Sequence, residues 1–501
     1  MVPTSVALAS PDVEARASQA LKGKLLRGSL WALAGHGGSQ AIRLVGNLVL
    51  WRLLYAEAFG LMAIVNVFMQ GLAMFSDVGI GPSIIQHERG NEARYLNTAW
   101  TIQVARGFLL FAVATVAAVP VARFYGQPEL ASLIPVVSLG SILAGFNSTK
   151  LFTAARQIAL ARLTAVDLIS QTAGLLVMVA WAMWSRSIWA LAAGGIGGNL
   201  VRLLMSHALL PGPKNRLCWD KASASALLRF GRWIFMSTLL TFAAMQSDRL
   251  VFGKLVSMSM LGVYSIATIW STFPSQILGH VFQSVLFPAL SRLHNDGDDV
   301  GAAYREMRAP WLIAAGWLAA CLISGGPTLI RFLYDERAAA AGGILQALSV
   351  GTWFLALEMS NGSALLAQGK PKWVAAGSAA KLCGMLLLIP TGMALYGFAG
   401  AVAGFAASEL FRYVVSLLGA ARSNLRGYRQ DAAATLFIAV TALAGVLTRE
   451  ALRRTGVVTL QGRLAALAEG IAIFLVVSAA WALAFVAHKN HRNRLKPIGL
   501  A

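Results

Sequence analysis

The sequence predicts an all-α polytopic membrane protein with about 14 transmembrane helices in two pseudo-symmetric bundles. Three observations carry this prediction. First, 57% of the 501 residues are hydrophobic and only 13% are charged. The apolar residues arrive in blocks of about twenty, the length needed to cross a hydrocarbon core of roughly 30 Å. Lipid offers the backbone no partner along such blocks, so each has to be a helix. Second, the opening stretch from Arg27 returns after a gapless shift of about 202 residues, which lays Arg27 on Arg229, Trp31 on Trp233, Leu48 on Leu250, Arg52 on Lys254 and Gly60 on Gly262. A helix pair repeated at half-chain spacing is the pattern of duplicated transporters, whose sites lie between the halves. Third, the net charge of +21 is unevenly spread. With the N-terminus cytoplasmic and the spans alternating, roughly 26 of the Lys and Arg fall on the cytoplasmic side, roughly 10 outside and roughly six within the membrane. The basic excess is then a topology signal, and no nucleic-acid partner is expected.

In chain order, residues 1–27 form a cytoplasmic tail that lacks the apolar core of a signal peptide, so the first span is the expected targeting element. The N-terminal bundle covers 28–210. It opens with a helix from about Gly28 to Leu54, a hairpin near Tyr55–Ala58 and a second helix from about Ala58 to Ile80. His36, Gln40, Arg43 and Asn47 recur at helical spacing and form a polar stripe on the first helix. The third span carries Gln103 and Arg106, the fifth Asp167 and Gln171, and the sixth Asn199, Arg202 and Ser206. GGIGG at Gly194–Gly198 lacks the preceding strand of a nucleotide loop, so close helix packing is expected there. Residues 211–229 are a cytoplasmic linker. The C-terminal bundle, 230–425, holds Gln246, Asp248 and Arg249 in its first span and Pro274 and Pro288 where a helix can bend. The acidic run Asp296–Asp299 lacks the regular ligands of a calcium loop and reads as a solvated turn. Glu358, Asn361 and Gln368 share one face of the tenth span, Lys381 lies in the eleventh, and Glu409 and Arg412 in the twelfth. Gly400 and Gly404 form a packing notch. Residues 426–487 supply two further spans, nearly free of buried charge and expected at the periphery. Residues 488–501 are a basic cytoplasmic tail. Cys218, Cys321 and Cys383 are far apart and are expected as free thiols, and no metal-ligand spacing occurs.

The chemistry lies in the intramembrane charges. Arg43, Arg106, Arg202, Arg249, Lys381 and Arg412 face Asp77, Asp167, Asp248, Glu358 and Glu409. Local pairs are expected between Glu409 and Arg412 and between the adjoining Asp248 and Arg249, leaving a surplus of cations. A cationic cavity at membrane depth suits a substrate with phosphate, which Arg recognises through its planar fork. Arg43, Asn47, Arg202 and Arg249 are the candidate substrate contacts. Asp167, Asp248 and Glu358 are candidates for coupling to a proton or sodium ion; their plainer role is a structural ion pair. No Gly-x-Ser-x-Gly elbow, Walker loop or zinc set is present, so no enzyme and no cofactor is expected.

The stretch RLLYAEAFGLMAIVNVF followed by FSDVGIGPSIIQ resembles the opening of the Wzx-type polysaccharide flippases, in the multidrug/oligosaccharidyl-lipid/polysaccharide exporter superfamily. The matching positions are Arg52–Leu54, Glu57, Phe59–Gly60, Asp77–Ile80 and Ile85–Gln86, and Asp248, Arg249, Lys254 and Gly262 in the counterpart. The family's usual hairpin proline is Ala56 here. The resemblance implies a V of two bundles that opens alternately to either side of the bacterial inner membrane, with both termini cytoplasmic. It implies translocation of undecaprenyl-diphosphate-linked oligosaccharide for exopolysaccharide, capsule or O-antigen synthesis, among membrane lipids and beside polymerase and chain-length or export proteins. Arg43, Arg249 and Arg202 would then hold diphosphate or acidic sugar, and Glu358 or Asp167 would sense the ion gradient. The competing expectations are a lipid II flippase, a drug/cation antiporter with an acidic, aromatic cavity, and a polysaccharide polymerase or ligase, which needs a large outer loop.

Overall fold

The computed structural model of the protein describes residues 31, 34–77, 79–157, 159–455 and 462–495. The N-terminal tail with Arg27 lies outside the described residues, as do the side chains of Arg229 and Trp233. The described residues are helical throughout apart from short connections, and the chain is a multi-pass membrane protein. Among the described residues, eight helices are long and apolar enough to cross a membrane, or nine if one bent pair counts as a single span. This is fewer than the fourteen expected from sequence. One reason is physical: the 371–422 element counts once although its backbone breaks at Tyr396 and Gly397.

Packing divides the chain into two units, Met1–Tyr55 with Ile64–Leu239, and Ala56–Ala63 with Leu240–Ala501. The first unit holds α1 (34–53), most of α2 (Ala56–Phe75), α3 (Ile80–Gln86), α4 (Ala93–Tyr125), α5 (Leu130–Phe146), α6 (Lys150–Arg156), α7 (Leu160–Trp184) and α8 (Trp189–Ala208). The expected hairpin is present, but α2 stops at Phe75, short of Ile80. The stop is chemical. Asp77 accepts a hydrogen bond from the Gly79 amide at 2.9 Å, and Gly79 takes a left-handed conformation at φ 65° that a side chain would strain. Asp77, placed inside the membrane from sequence, is therefore the pivot of a turn between α2 and α3.

Small residues set the helix spacing in this unit. A methyl on Gly174 of α7 would stand 2.9 Å from the Gly194 carbonyl and 3.3 Å from the Gly198 Cα of α8. The GGIGG stretch is thus a close-packing seam. Long polar side chains close the helix ends. Gln103 donates to the carbonyls of Ala144, Gly145 and Asn147 at 3.0–3.1 Å, where α5 bends into α6. Arg106 donates to Ser76 Oγ at 2.9 Å and to the Ala73 carbonyl at 2.6 Å, so this intramembrane cation satisfies a last-turn carbonyl of α2.

The second unit starts within α9 (Lys221–Leu255) and continues through α10 (Met258–Val281), a π turn at Phe282–Leu286, α11 (Phe287–Asp296), α12 (Val300–Leu333), α13 (Ala341–Ala367), α14 (Pro371–Arg422), α15 (Tyr428–Thr455) and α16 (Gly462–Leu495). Asp220 caps α9 by accepting from the Ser223 amide and hydroxyl, and those bonds hold its carboxyl below the usual range. Between Pro274 and Pro288, where a bend is expected, the helix passes through a π turn. The acidic run is a turn with a task, because Asp299 caps α12 through the Gly301 and Ala302 amides. The core joins α10, α12, α13, α15 and α16 through Leu278, Phe282, Trp353, Leu357 and Trp481.

Two glycines related by the sequence repeat meet inside this unit. A methyl on Gly60 would overlap the Met258 carbonyl, and one on Gly262 would overlap the Ala56 carbonyl. Ala56 and Gly60 become Met258 and Gly262 under the same shift, so the contact between α2 and α10 is reciprocal. All three cysteines are free thiols.

Candidate functional site

In the first unit, α1 runs alongside α7. Added methyls on Gly35, Gly38 and Gly46 would meet Thr164, Leu168 and Leu175 in turn, and Ser39 donates to Gln171 Oε1 at 2.7 Å. The predicted polar stripe is rotated one residue from this seam. Gln40 is buried, His36 and Asn47 are half-buried and Arg43 is exposed. Arg43 is one helical turn beyond Ser39. Across α7 and α8, Arg202 pairs with Asp167 at 3.1 Å, with 43% and 44% of the side chains accessible. Both partners of the pair are therefore partly open to solvent. Arg202 is thus matched by the acid proposed for ion coupling, and neither stands alone.

In the second unit, the expected local pairs are replaced by tertiary ones. Glu409 takes Lys381 at 2.5 Å, and Arg412 takes Glu358 at 3.1 Å. Glu409 and Arg412 sit about 60° apart on the helix, so one meets the first arm of α14 and the other meets α13. Lys381 lies 5.2 Å from the Phe405 ring centre. The four charges sum to zero and are nearly dry, with Glu358 only 2% exposed. Glu358 and Glu409 are within electrostatic reach of each other, so loss of either cation would set two buried carboxylates in opposition.

Asp248 also prefers a partner other than its neighbour in sequence. Its Oδ2 accepts from the Tyr264 hydroxyl at 2.6 Å, and its Oδ1 is buried with no partner among the described residues. Around it Phe252, Tyr264 and Phe398 pack edge to face. Arg249 turns away and reaches Gln246 Oε1 at 3.5 Å.

The expected cation surplus shrinks under this accounting. Arg202, Lys381 and Arg412 are in ion pairs, and Arg106 caps a helix. Arg43 and Arg249 remain, with no acidic partner among the described residues. The candidate residues divide between the units: Arg43, Asn47, Asp167 and Arg202 in the first, Asp248, Arg249 and Glu358 in the second. No group of three or more His, Cys, Asp or Glu that could hold a metal occurs among the described residues.

Two charge clusters escaped the sequence reading. Arg308 is fully buried within α12 and paired with Asp431 of α15. Tyr304 bridges Arg308 and Asn361, and Tyr413 donates to Asp431 at 2.9 Å. Glu469 of α16 is also buried, between Arg331 and Arg453. The last two helices therefore carry buried charge, against expectation. The available signal was the i, i+4 spacing of Tyr304 and Arg308 ahead of Pro310, a polar pair inside an apolar pattern.

Residues 49–338 match the model of a family described as polysaccharide biosynthesis protein. The chain is 26% identical over 271 residues to the succinoglycan biosynthesis transport protein ExoT of Rhizobium meliloti, covering 53% of each chain. It is 23% identical over 293 residues to the lipopolysaccharide biosynthesis protein WzxC of Escherichia coli, covering 57% of this chain and 58% of the relative. The chain thus spans little more than half the length of these curated relatives. Among solved structures, the lipid II flippase MurJ in an inward closed conformation aligns with 91% of this chain and 99% of its own, at a TM-score of 0.69 and 12% identity. That likeness shows the fold: the chain folds as this solved protein does.

Proposed function

The chain belongs to the polysaccharide biosynthesis protein family, and from that premise we propose that it is a flippase for undecaprenyl-diphosphate-linked oligosaccharide in the bacterial inner membrane. In this reading the bundles 28–210 and 230–425 alternate in access, both termini are cytoplasmic, and polymerase and chain-length proteins take up the product. The observation that carries it is the pair of arginines left over once every other predicted intramembrane cation is matched. Arg43 and Arg249 hold the diphosphate or acidic sugar through charge-assisted bonds. Asn47 orients the sugar, and Arg202 exchanges Asp167 for the substrate. Asp248, with one oxygen unpartnered among the described residues, takes the coupling proton or sodium ion, and Glu358 responds through Arg412.

The test is the lipid-linked sugar content of inner-membrane vesicles after Arg43→Ala or Arg249→Ala. Loss of a charge-assisted contact of about 1.5–3 kcal/mol predicts transport slowed about tenfold to a hundredfold. Undecaprenyl-linked repeat units then accumulate on the cytoplasmic leaflet at normal protein level. An unchanged lipid pool with altered polymer length would instead support a polymerase and remove both arginines from the site.

A further inference from the structure

A second polar cluster, which the transport reading does not use, lies where α12, α15 and α16 meet. Glu469 is buried and takes Arg331, Arg453 at 3.4 Å and Thr328 Oγ1 at 3.5 Å. Arg449 donates to the Ser324 carbonyl at 3.3 Å and stands within electrostatic reach of Arg331, Arg453, Glu469 and Glu450. Glu450 is occupied by Arg454 at 3.1 Å. Arg331, Arg449, Arg453 and Arg454 are thus set against Glu450 and Glu469, leaving two positive charges unmatched within the cluster. Arg331 lies in the last turn of α12 and Arg453 in the last turn of α15, so the charge sits at helix ends, the depth of lipid headgroups.

The cluster opens onto an apolar groove of about 330 Å³ between α12 and α16, lined by Cys321, Leu329, Phe332, Leu467, Gly470 and Phe474 among others. Thr328 belongs to both, as a wall of the groove and a partner of Glu469. Along α12 the groove spans twelve residues, from Cys321 to Phe332, or about 16 Å of helix. We propose that this is a binding site for one anionic phospholipid of the surrounding membrane, its phosphate on Arg331, Arg449 and Arg453 and an acyl chain along the groove.

The two halves of the site select that occupant jointly. A soluble anion would satisfy the arginines and leave the groove to other molecules. A zwitterionic lipid would fill the groove but bring its own cation to a site that already has two to spare. A phosphodiester with one net negative charge on a hydrocarbon chain complements both, and the planar fork of Arg matches phosphate oxygens. The site does not depend on which substrate the protein carries.

The test uses the full chain purified in a neutral detergent, with binding read by native mass spectrometry and by the shift in melting temperature. The probes are dioleoylphosphatidylglycerol, dioleoylphosphatidylcholine and undecaprenyl phosphate. Phosphatidylglycerol is expected to remain as a single adduct and to raise the melting temperature, and phosphatidylcholine to do neither. Arg449→Gln should weaken phosphatidylglycerol about fivefold, the effect of one basic residue near an anionic lipid. Gly470→Leu should weaken it by closing the groove with the charges intact; its added Cβ meets only Thr328 Cγ2, at 3.6 Å. If Arg449→Gln melts well below the parent, Gly470→Leu decides alone. Equal binding of the two phospholipids, or phosphatidylglycerol affinity unchanged in both variants, overturns the proposal. So does binding of undecaprenyl phosphate with no binding of phosphatidylglycerol, which would make the groove a seat for the carried lipid.

Discussion

At the scale of single residues, this protein buries charges in matched sets, and the matching decides which ones are available for chemistry. Lys381 and Glu409 are each 7% accessible at the side chain, so neither is hydrated and each depends on the other. Lys381→Met alone should destabilise the protein by about 3–5 kcal/mol, because it leaves Glu409 buried beside Glu358. The double variant Lys381→Met with Glu409→Leu should recover most of that loss, and thermal melting in detergent separates the two outcomes. The burial of Lys381, Glu409, Glu358 and Asp248 was legible in the sequence, since a charge inside an apolar run is conspicuous, whereas that of Arg308, Asp431 and Glu469 was not. The partners were not legible. Sequence proximity favoured Glu409 with Arg412 and Asp248 with Arg249, whereas the neighbouring helices supply Lys381, Glu358 and Tyr264. A side chain pairs with what the packing brings to it, and packing lies beyond the reach of spacing.

At the scale of elements, glycine positions mark where helices touch. Gly60 and Gly262 were visible as a repeat, but the sequence carried no hint that each lies against the other's helix start. Gly60→Ala and Gly262→Ala should each cost about 1–3 kcal/mol by forcing α2 and α10 apart. Because both act on one contact, the double variant should cost less than the sum. Melting of the two single variants and the double variant measures the coupling, and strict additivity would mean that the positions act independently. The early stop of α2 shows the limit of periodicity. The apolar pattern continues past Phe75, yet Asp77 and Gly79 form a turn whose hydrogen bond ends the helix. Here the Asp-x-Gly motif was read as a family resemblance, when its local meaning is a turn that only glycine enters without strain.

At the scale of the molecule, helical class and repeated halves were legible because lipid leaves the backbone no alternative and duplication leaves a period. The standing of α15 and α16 was not. They read as apolar additions, but Asp431 is the partner of the fully buried Arg308 and Trp481 fills the space above Gly316. Truncation after residue 426 should therefore leave Arg308 unpaired in the core and yield little monodisperse protein. The same truncation carrying Arg308→Met should give more, as size-exclusion chromatography would report. Equal recovery of both truncations would show that α15 contributes by area alone.

The hairpin at Tyr396–Gly397 bears on how the chain enters the membrane as it is made. Lys381 lies on one arm of α14 and Glu409 on the other, and the arms touch through Gly392 and Gly400. Taken singly, an arm with a lone central Lys costs about 2.5–3.5 kcal/mol to hand to lipid. Taken together, the two charges neutralise each other before either meets hydrocarbon. Handing both arms to the membrane as one object is then cheaper than releasing the first alone.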